Sequence, residues 1–154
     1  MPTTGIVNGH NLRILIGIND ENGISDPAPV AKSTSCSISI TRDVRETSHK
    51  DLGSGDGAGW KGSEYGEGSW TITGDALYSY NQGLDENIGV GLLWDAMKDK
   101  NKLVVQYSTD VVGDQMFQGT VVITSLDVNA PNNEDVTYSF SATGHGAPSR
   151  VAVQ

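Results

Sequence analysis

Residues 11–19, NLRILIGIN, set Leu12, Ile14, Ile16 and Ile18 on one side of an extended chain and stop at DENG, a turn signature. The same period of two returns in STSCSISITR (33–42), where Cys36, Ile38 and Ile40 alternate with Ser35, Ser37, Ser39 and Thr41. It returns again in GSWTITGDALYSY (68–80), which opens with Trp70 and Ile72 against Ser69, Thr71 and Thr73. KLVVQYST (102–109), MFQGTVVITSLDV (116–128) and DVTYSFSAT (135–143) keep the β-branched pattern, with NAPNNE (129–134) as a turn between the last two. An alternation of two cannot lay an apolar stripe along a helix. The chain is therefore predicted to be mainly β, and no internal repeat is visible.

One segment breaks the pattern. In NIGVGLLWDAMKDK, 87–100, Val90, Leu93, Trp94 and Met97 fall at helical spacing and form one apolar stripe. Asp85 and Glu86 precede it and Lys98 and Lys100 end it, as the helix dipole favours. Gly89 and Gly91 weaken its first turns by roughly 1 kcal/mol each relative to alanine. Such a stripe needs a sheet to cover, so the order strands, helix, strands predicts a β-sandwich or barrel with one flanking helix. The predicted core includes Ile38, Ile40, Trp70, Ile72, Leu93, Trp94 and Met97.

At 154 residues the chain is expected to form a single domain, 1–154, with enough length to bury a core. Its net charge of −9 disfavours binding of nucleic acid or anionic membrane through basic contacts, which does not exclude a protein that must let DNA slide past. The single cysteine, Cys36, excludes an internal disulfide and fits a reducing compartment. The opening MPTTGIVNGHNLRI has neither the basic flank nor the apolar run of a signal peptide, so synthesis in a cytoplasm is expected. No apolar run approaches the roughly 20 residues that span a bilayer, and no membrane partner is expected.

The polar sides of the strands are unusual. Ser35, Ser37, Ser39 and Thr41 form one row, Ser69, Thr71 and Thr73 a second, and Thr137, Ser139 and Ser141 a third. All three are rich in hydroxyls and free of charge. Simple strand preference explains threonine better than serine. A sheet face that stays wet and smooth without gripping anything explains both. Edges without charge also leave strand association unguarded, which suggests a sheet that continues into neighbouring copies.

A long loop is predicted over about 43–68, and within it and the next strand SHKDLGSGDGAGWKGSEYGEGSW (48–70) carries seven glycines and two tryptophans. It does not cradle a phosphate: Lys61 follows Trp60 and precedes Gly62, so no P-loop is completed, and no helix follows the glycines. It does not match a calcium loop either, because the carboxylates do not recur at alternate positions and the GSGDGAG run is not repeated in tandem. His10, His49 and His145 are far apart and unpaired with Cys36, and SATGHG (141–146) is no nucleophile elbow. No metal, cofactor or catalytic residue is expected. Trp60, Tyr65 and Trp70 are too many large aromatics for a flexible linker. Trp60 either folds back on its own domain or anchors a contact with a neighbour, where tryptophan is enriched.

The run SCSISITRDVRETSHKD…GWKGSEYGEGSWTITGDALY, from Ser35 to Tyr78, resembles the major tail tube proteins of long-tailed bacteriophages. The matching positions are Ser35 to Ile40, Ser48 to Asp51, Gly59 to Lys61, and Gly66 to Ile72 followed by Leu77 and Tyr78. Gly119 to Gly146 is similar to the family's last hairpin. Each motif is short; their order and spacing over about three quarters of the chain are what is specific. His49 and the glycines at 53–59 depart from the commoner pattern. The resemblance implies a tail tube fold whose subunits close into hexameric rings that stack into a tube for DNA and the tape measure protein. It implies contacts between subunits or rings through Lys50, Asp51, Trp60, Lys61 and Glu64, and a lumen lined from among the three hydroxyl rows. It implies tail terminator and tip proteins as further partners, and a place in the virion tail after assembly in a bacterial cytoplasm. A tube subunit of a contractile injection or type VI-like secretion apparatus, and a carbohydrate-binding β-sandwich that does not assemble, are the alternatives.

Overall fold

The computed structural model of the chain describes residues 2–20, 23–24, 28–30, 33–47, 61–78, 90–109 and 111–154. Among the described residues a 3-10 turn (Gly9–Asn11) precedes eight strands and one α-helix, β1 (Arg13–Asp20), β2 (Gly23–Ile24), β3 (Ala28–Pro29), β4 (Ser33–Thr47), β5 (Gly62–Leu77), α1 (Val90–Asp99), β6 (Leu103–Ser108), β7 (Gln115–Asn129) and β8 (Thr137–Ala152). The strands make one antiparallel sheet in the order β2-β1-β6-β7-β8-β5-β4, with β3 paired to β1 off this path. The sheet curls until its two ends approach. Cys36 Sγ on β4 donates to the Leu12 carbonyl just before β1 at 3.5 Å, and a Cβ on Gly74 of β5 would sit 3.5 Å from Ile14 Cδ1 of β1. The predicted β layers thus take the form of a single rolled sheet.

Alternation decides which side of the roll is dry. Ile14 and Ile16, Leu103 and Val105, Val121 and Ile123, and Trp70 and Ile72 point inward and are buried with Tyr138, Phe140 and Ala142. Among the described residues Tyr138 has no partner for its hydroxyl, and burial pushes that group's pKa up to about 12. Trp70 is seated by glycines. A Cβ on Gly144 would fall 2.0 Å from its indole nitrogen, and one on Gly119 would fall 2.6 Å from its ring. The indole N–H then donates to the Gly146 carbonyl at 2.8 Å.

α1 closes the roll, packing mainly on β7. Its buried arc runs from Leu92 through Ala96, Leu93 and Met97 to Val90. Trp94, predicted to be in the core, lies just beyond that arc and is 53% exposed. The small Ala96 is buried where the large Trp94 is not, and the stripe read from large residues alone was rotated. The first three residues of the predicted 87–100 helix lie outside the described residues. The helix ends as Lys100 turns to φ 59 and the Asn101 N–H bonds the Ala96 carbonyl at 2.9 Å. This is a Schellman-type stop made without glycine.

Two further expectations are corrected. Ile40, predicted to be buried, is 50% exposed, because β4 outruns the body of the sheet beyond Ile38. The loop predicted over 43–68 is strand at both ends, with Val44 paired to Tyr65, Arg45 to Glu64, Glu46 to Ser63 and Thr47 to Gly62. Glycines at 62, 66 and 68 hid this pairing, since a period of two cannot be read across residues with no side chain. Ile38 and Met97 are partly buried against the core, and Leu93 is fully buried, as predicted.

Candidate functional site

The three hydroxyl rows form a single surface. Ser37 lies opposite Thr73, and Thr73 opposite Ser141; Ser39 lies opposite Thr71, and Thr71 opposite Thr143. Thr41 pairs with Ser69 at one end, and at the other Thr137 pairs with Leu77 and Ser139 with Asp75. On β7 the face continues through Ser125 opposite Ser141 and Asp127 opposite Ser139. The hydroxyls bond across the strands: Ser37 Oγ lies 2.5 Å from Thr73 Oγ1, Thr41 Oγ1 3.0 Å from Ser69 Oγ, and Ser35 Oγ donates to Asp75 at 2.7 Å. From Ser35 to Thr41, and across the partners on β5, β8 and β7 named above, the face carries two carboxylates, Asp75 and Asp127, and no lysine or arginine. Thr143, Ser125 and the two aspartates were missed from sequence. Thr143 and Asp75 continue the period-two rows already singled out on β8 and β5, so their signal was present; on β7 no row had been singled out, and a register shift separates Ile123 from Ser125.

The second feature is a ribbon. Past Thr41 and Ser69 β4 and β5 continue as a pair without β8, and from Arg42 to Glu46 and Ser63 to Tyr65 every residue is exposed. A register shift between Arg42 and Val44 brings the Arg42 guanidinium to 5.9 Å from the Tyr65 ring, and Arg42 Nε donates to the Gly66 carbonyl at 3.0 Å. Ion pairs join Arg45 to Glu64 at 2.8 Å and Lys61 to Glu46 at 3.2 Å. These pairs are open to water and contribute at most a few tenths of a kcal/mol each. Of the predicted contact residues, Lys61 and Glu64 therefore stand at the ribbon, each paired within it. Lys50, Asp51 and Trp60 lie outside the described residues. Val44 is 60% and Tyr65 79% exposed, an apolar extension of a two-stranded element that has no support of its own.

Burial pushes the Cys36 thiol up, against a weaker lowering by its hydrogen bond with Tyr107, which keeps it protonated at neutral pH. Asp114 serves structure: its carboxylate accepts from the Thr3 backbone N–H, the Thr3 hydroxyl and the Thr109 hydroxyl, and these bonds lower its pKa. It fastens the N-terminal segment beside the turn before β7, where Pro2 lies over Gly113.

The site is thus a polar sheet face, without lysine or arginine among the residues named above, beside a projecting ribbon. The family model described as phage tail tube protein matches residues 7–150, nearly the whole chain. The chain belongs to the phage tail tube protein family. It is a structural tail tube subunit. Among curated proteins, none matches its sequence significantly. Solved structures share the fold. The tail of an empty gene transfer agent (GTA) particle, refined helically with C6 symmetry, superposes with a TM-score of 0.73 at 21% identity, covering 96% of this chain and 100% of that one. The SPP1 tail tube gives a TM-score of 0.69 at 12% identity, covering 96% of this chain and 80% of that one. The baseplate of the anti-feeding prophage (AFP) gives 0.62 at 11% identity, covering 99% of each chain. At such identities these likenesses speak for the fold.

Proposed function

We propose that six copies of this chain close into a ring, that rings stack into a tail tube, and that the hydroxyl face lines its lumen. The observation that carries this reading is the continuity of that face across β4, β5, β8 and β7, with Asp75 and Asp127 as its charges. A wall of hydroxyls stays hydrated, and two carboxylates without a neighbouring cation repel phosphate instead of holding it. DNA and a tape measure protein then pass without sequence-specific binding. Among the three rows, the face chosen is all of them together. The ribbon and the segment carrying Lys50, Asp51 and Trp60 reach neighbouring subunits, and terminator and tip proteins cap the two ends. The subunit has no catalytic role or cofactor, is made in the host cytoplasm and resides in the virion tail.

A tube subunit of a contractile injection system is the second reading, favoured by the likeness to the AFP baseplate. The carbohydrate-binding alternative has less support. Among the described residues the exposed aromatics Tyr65 and Trp94 sit on different elements, not along one sheet face.

A labelling experiment tests the lumen assignment. Ser39→Cys, in a Cys36→Ser background, should react with a maleimide carrying a long polyethylene glycol chain while the protein is monomeric. In assembled tubes it should be shielded. Equal labelling in both states would place this face on the outside.

A further inference from the structure

The sheet splits at one end. β5 and β8 are paired only from Thr71–Thr143 to Leu77–Thr137, although β5 begins at Gly62 and β8 runs on to Ala152. Beyond the split β5 stays bonded to β4 as far as Gly62–Thr47, and β8 stays bonded to β7 as far as Ala152–Gln115. Among the described residues each strand therefore has one edge paired in the sheet and one that pairs with no further strand, apart from the Gly146 carbonyl that accepts from Trp70, and these two edges face each other across a cleft. The cause lies in β8. Between the pairs Thr120–His145 and Gln118–Ser149, β7 steps from 118 to 120 while β8 steps from 145 to 149. That bulge contains Gly146 at φ 77 and Pro148, which has no N–H to offer. The Trp70 indole bridges the apex to the Gly146 carbonyl. Above it lies a groove of about 360 Å³, lined by Ile40, Arg42, Trp70, Gly146, Ala147 and Pro148.

We propose that this cleft receives an extended segment of a second copy of the chain, which adds as a strand between the open edges of β5 and β8. The proposal rests on the tube reading above and names a surface through which copies engage. Two facing strand edges with unpaired backbone groups fit one kind of occupant, an extended backbone that bonds to both. The groove at the apex takes an apolar side chain of that segment, and half-exposed Ile40 becomes covered. Charge fits an acidic partner such as this chain itself, whose net charge is −9. Arg45 and Lys61 are already paired with carboxylates within the ribbon, while Arg42, bonded to the Gly66 carbonyl, lines the groove and Arg150, bonded to the Gln115 side chain, stands on β8, neither in an ion pair among the described residues. Insertion also supports the ribbon along its whole open side, which its own fold leaves bare.

Hydrogen–deuterium exchange of wild-type protein, before and after polymerisation, reads the backbone edges directly. Amides in 62–70 and 144–152 that face the cleft should slow by at least about tenfold in the polymer. In parallel, Ala147→Trp, which fills the groove from an exposed position, should keep the wild-type circular dichroism and melting temperature and lose polymerisation. Tubes whose cleft amides exchange as in the monomer, or normal polymerisation by a folded Ala147→Trp, would overturn the cleft and leave the tube reading intact. Protection that appears only on adding a different protein would also overturn it. If the wild type forms no polymer under any condition, both readings fall. Should Ala147→Trp fail to fold, the exchange comparison on the wild type decides alone.

Discussion

The residue on which most geometry converges is Trp70. It ends the alternation of β5, seals the core where the sheet splits, and spends its N–H on Gly146. Its seat exists because Gly144 and Gly119 have no side chain, so an added methyl at 144 would overlap the indole. Gly144→Ala should therefore displace Trp70, break the bond to Gly146 and cost about 2–3 kcal/mol of stability, in the range of an overpacked core. Urea unfolding followed by tryptophan fluorescence checks this, and an unchanged midpoint would mean the indole has room to move. The need for glycine at 144 was invisible in sequence. Gly144 is a packing requirement set by a residue 74 positions earlier, from 144 to 70.

At the scale of the elements, α1 closes on a non-glycine residue in the left-handed region. Lys100 holds φ 59 so that Asn101 can cap the Ala96 carbonyl, a conformation that costs an L-residue about 1–2 kcal/mol. Lys100→Gly should raise stability by about 0.5–1 kcal/mol, after subtracting the larger entropy glycine loses on folding. A thermal melt that moves down instead would show that the lysine side chain contributes more than its backbone costs. Legibility followed the same physics. Strands with an uninterrupted alternation, such as β1 and the middle of β4, could be read directly, and so could the existence of α1. The ribbon could not, because Gly62, Gly66 and Gly68 erase the pattern, and a register shift at Arg42/Val44 changes which side chains share a face. Trp94 failed for another reason. Size and apolarity marked it for the core, but the arc of a helix is set by the sheet it meets, and Ala96 is buried while Trp94 is not. The hydroxyl rows were legible one strand at a time; that they merge depends on long-range register, which no local pattern encodes.

For the whole molecule, two traits that would be liabilities in a monomer become consistent once copies assemble. Open strand edges and an exposed two-stranded ribbon invite association, and monomeric proteins guard against both. An acidic chain with a cation-free hydroxyl face would be a poor binder of nucleic acid and a good wall for its passage. A heterologous contact that closes after six copies makes a ring, and the same logic repeated along an axis makes a tube. Electron microscopy of the purified protein, with size-exclusion chromatography over a range of concentration and salt, tests this most directly. The account predicts rings or hollow tubes with six-fold symmetry; a monodisperse monomer under every condition, with no ring or tube on the grid, would contradict it.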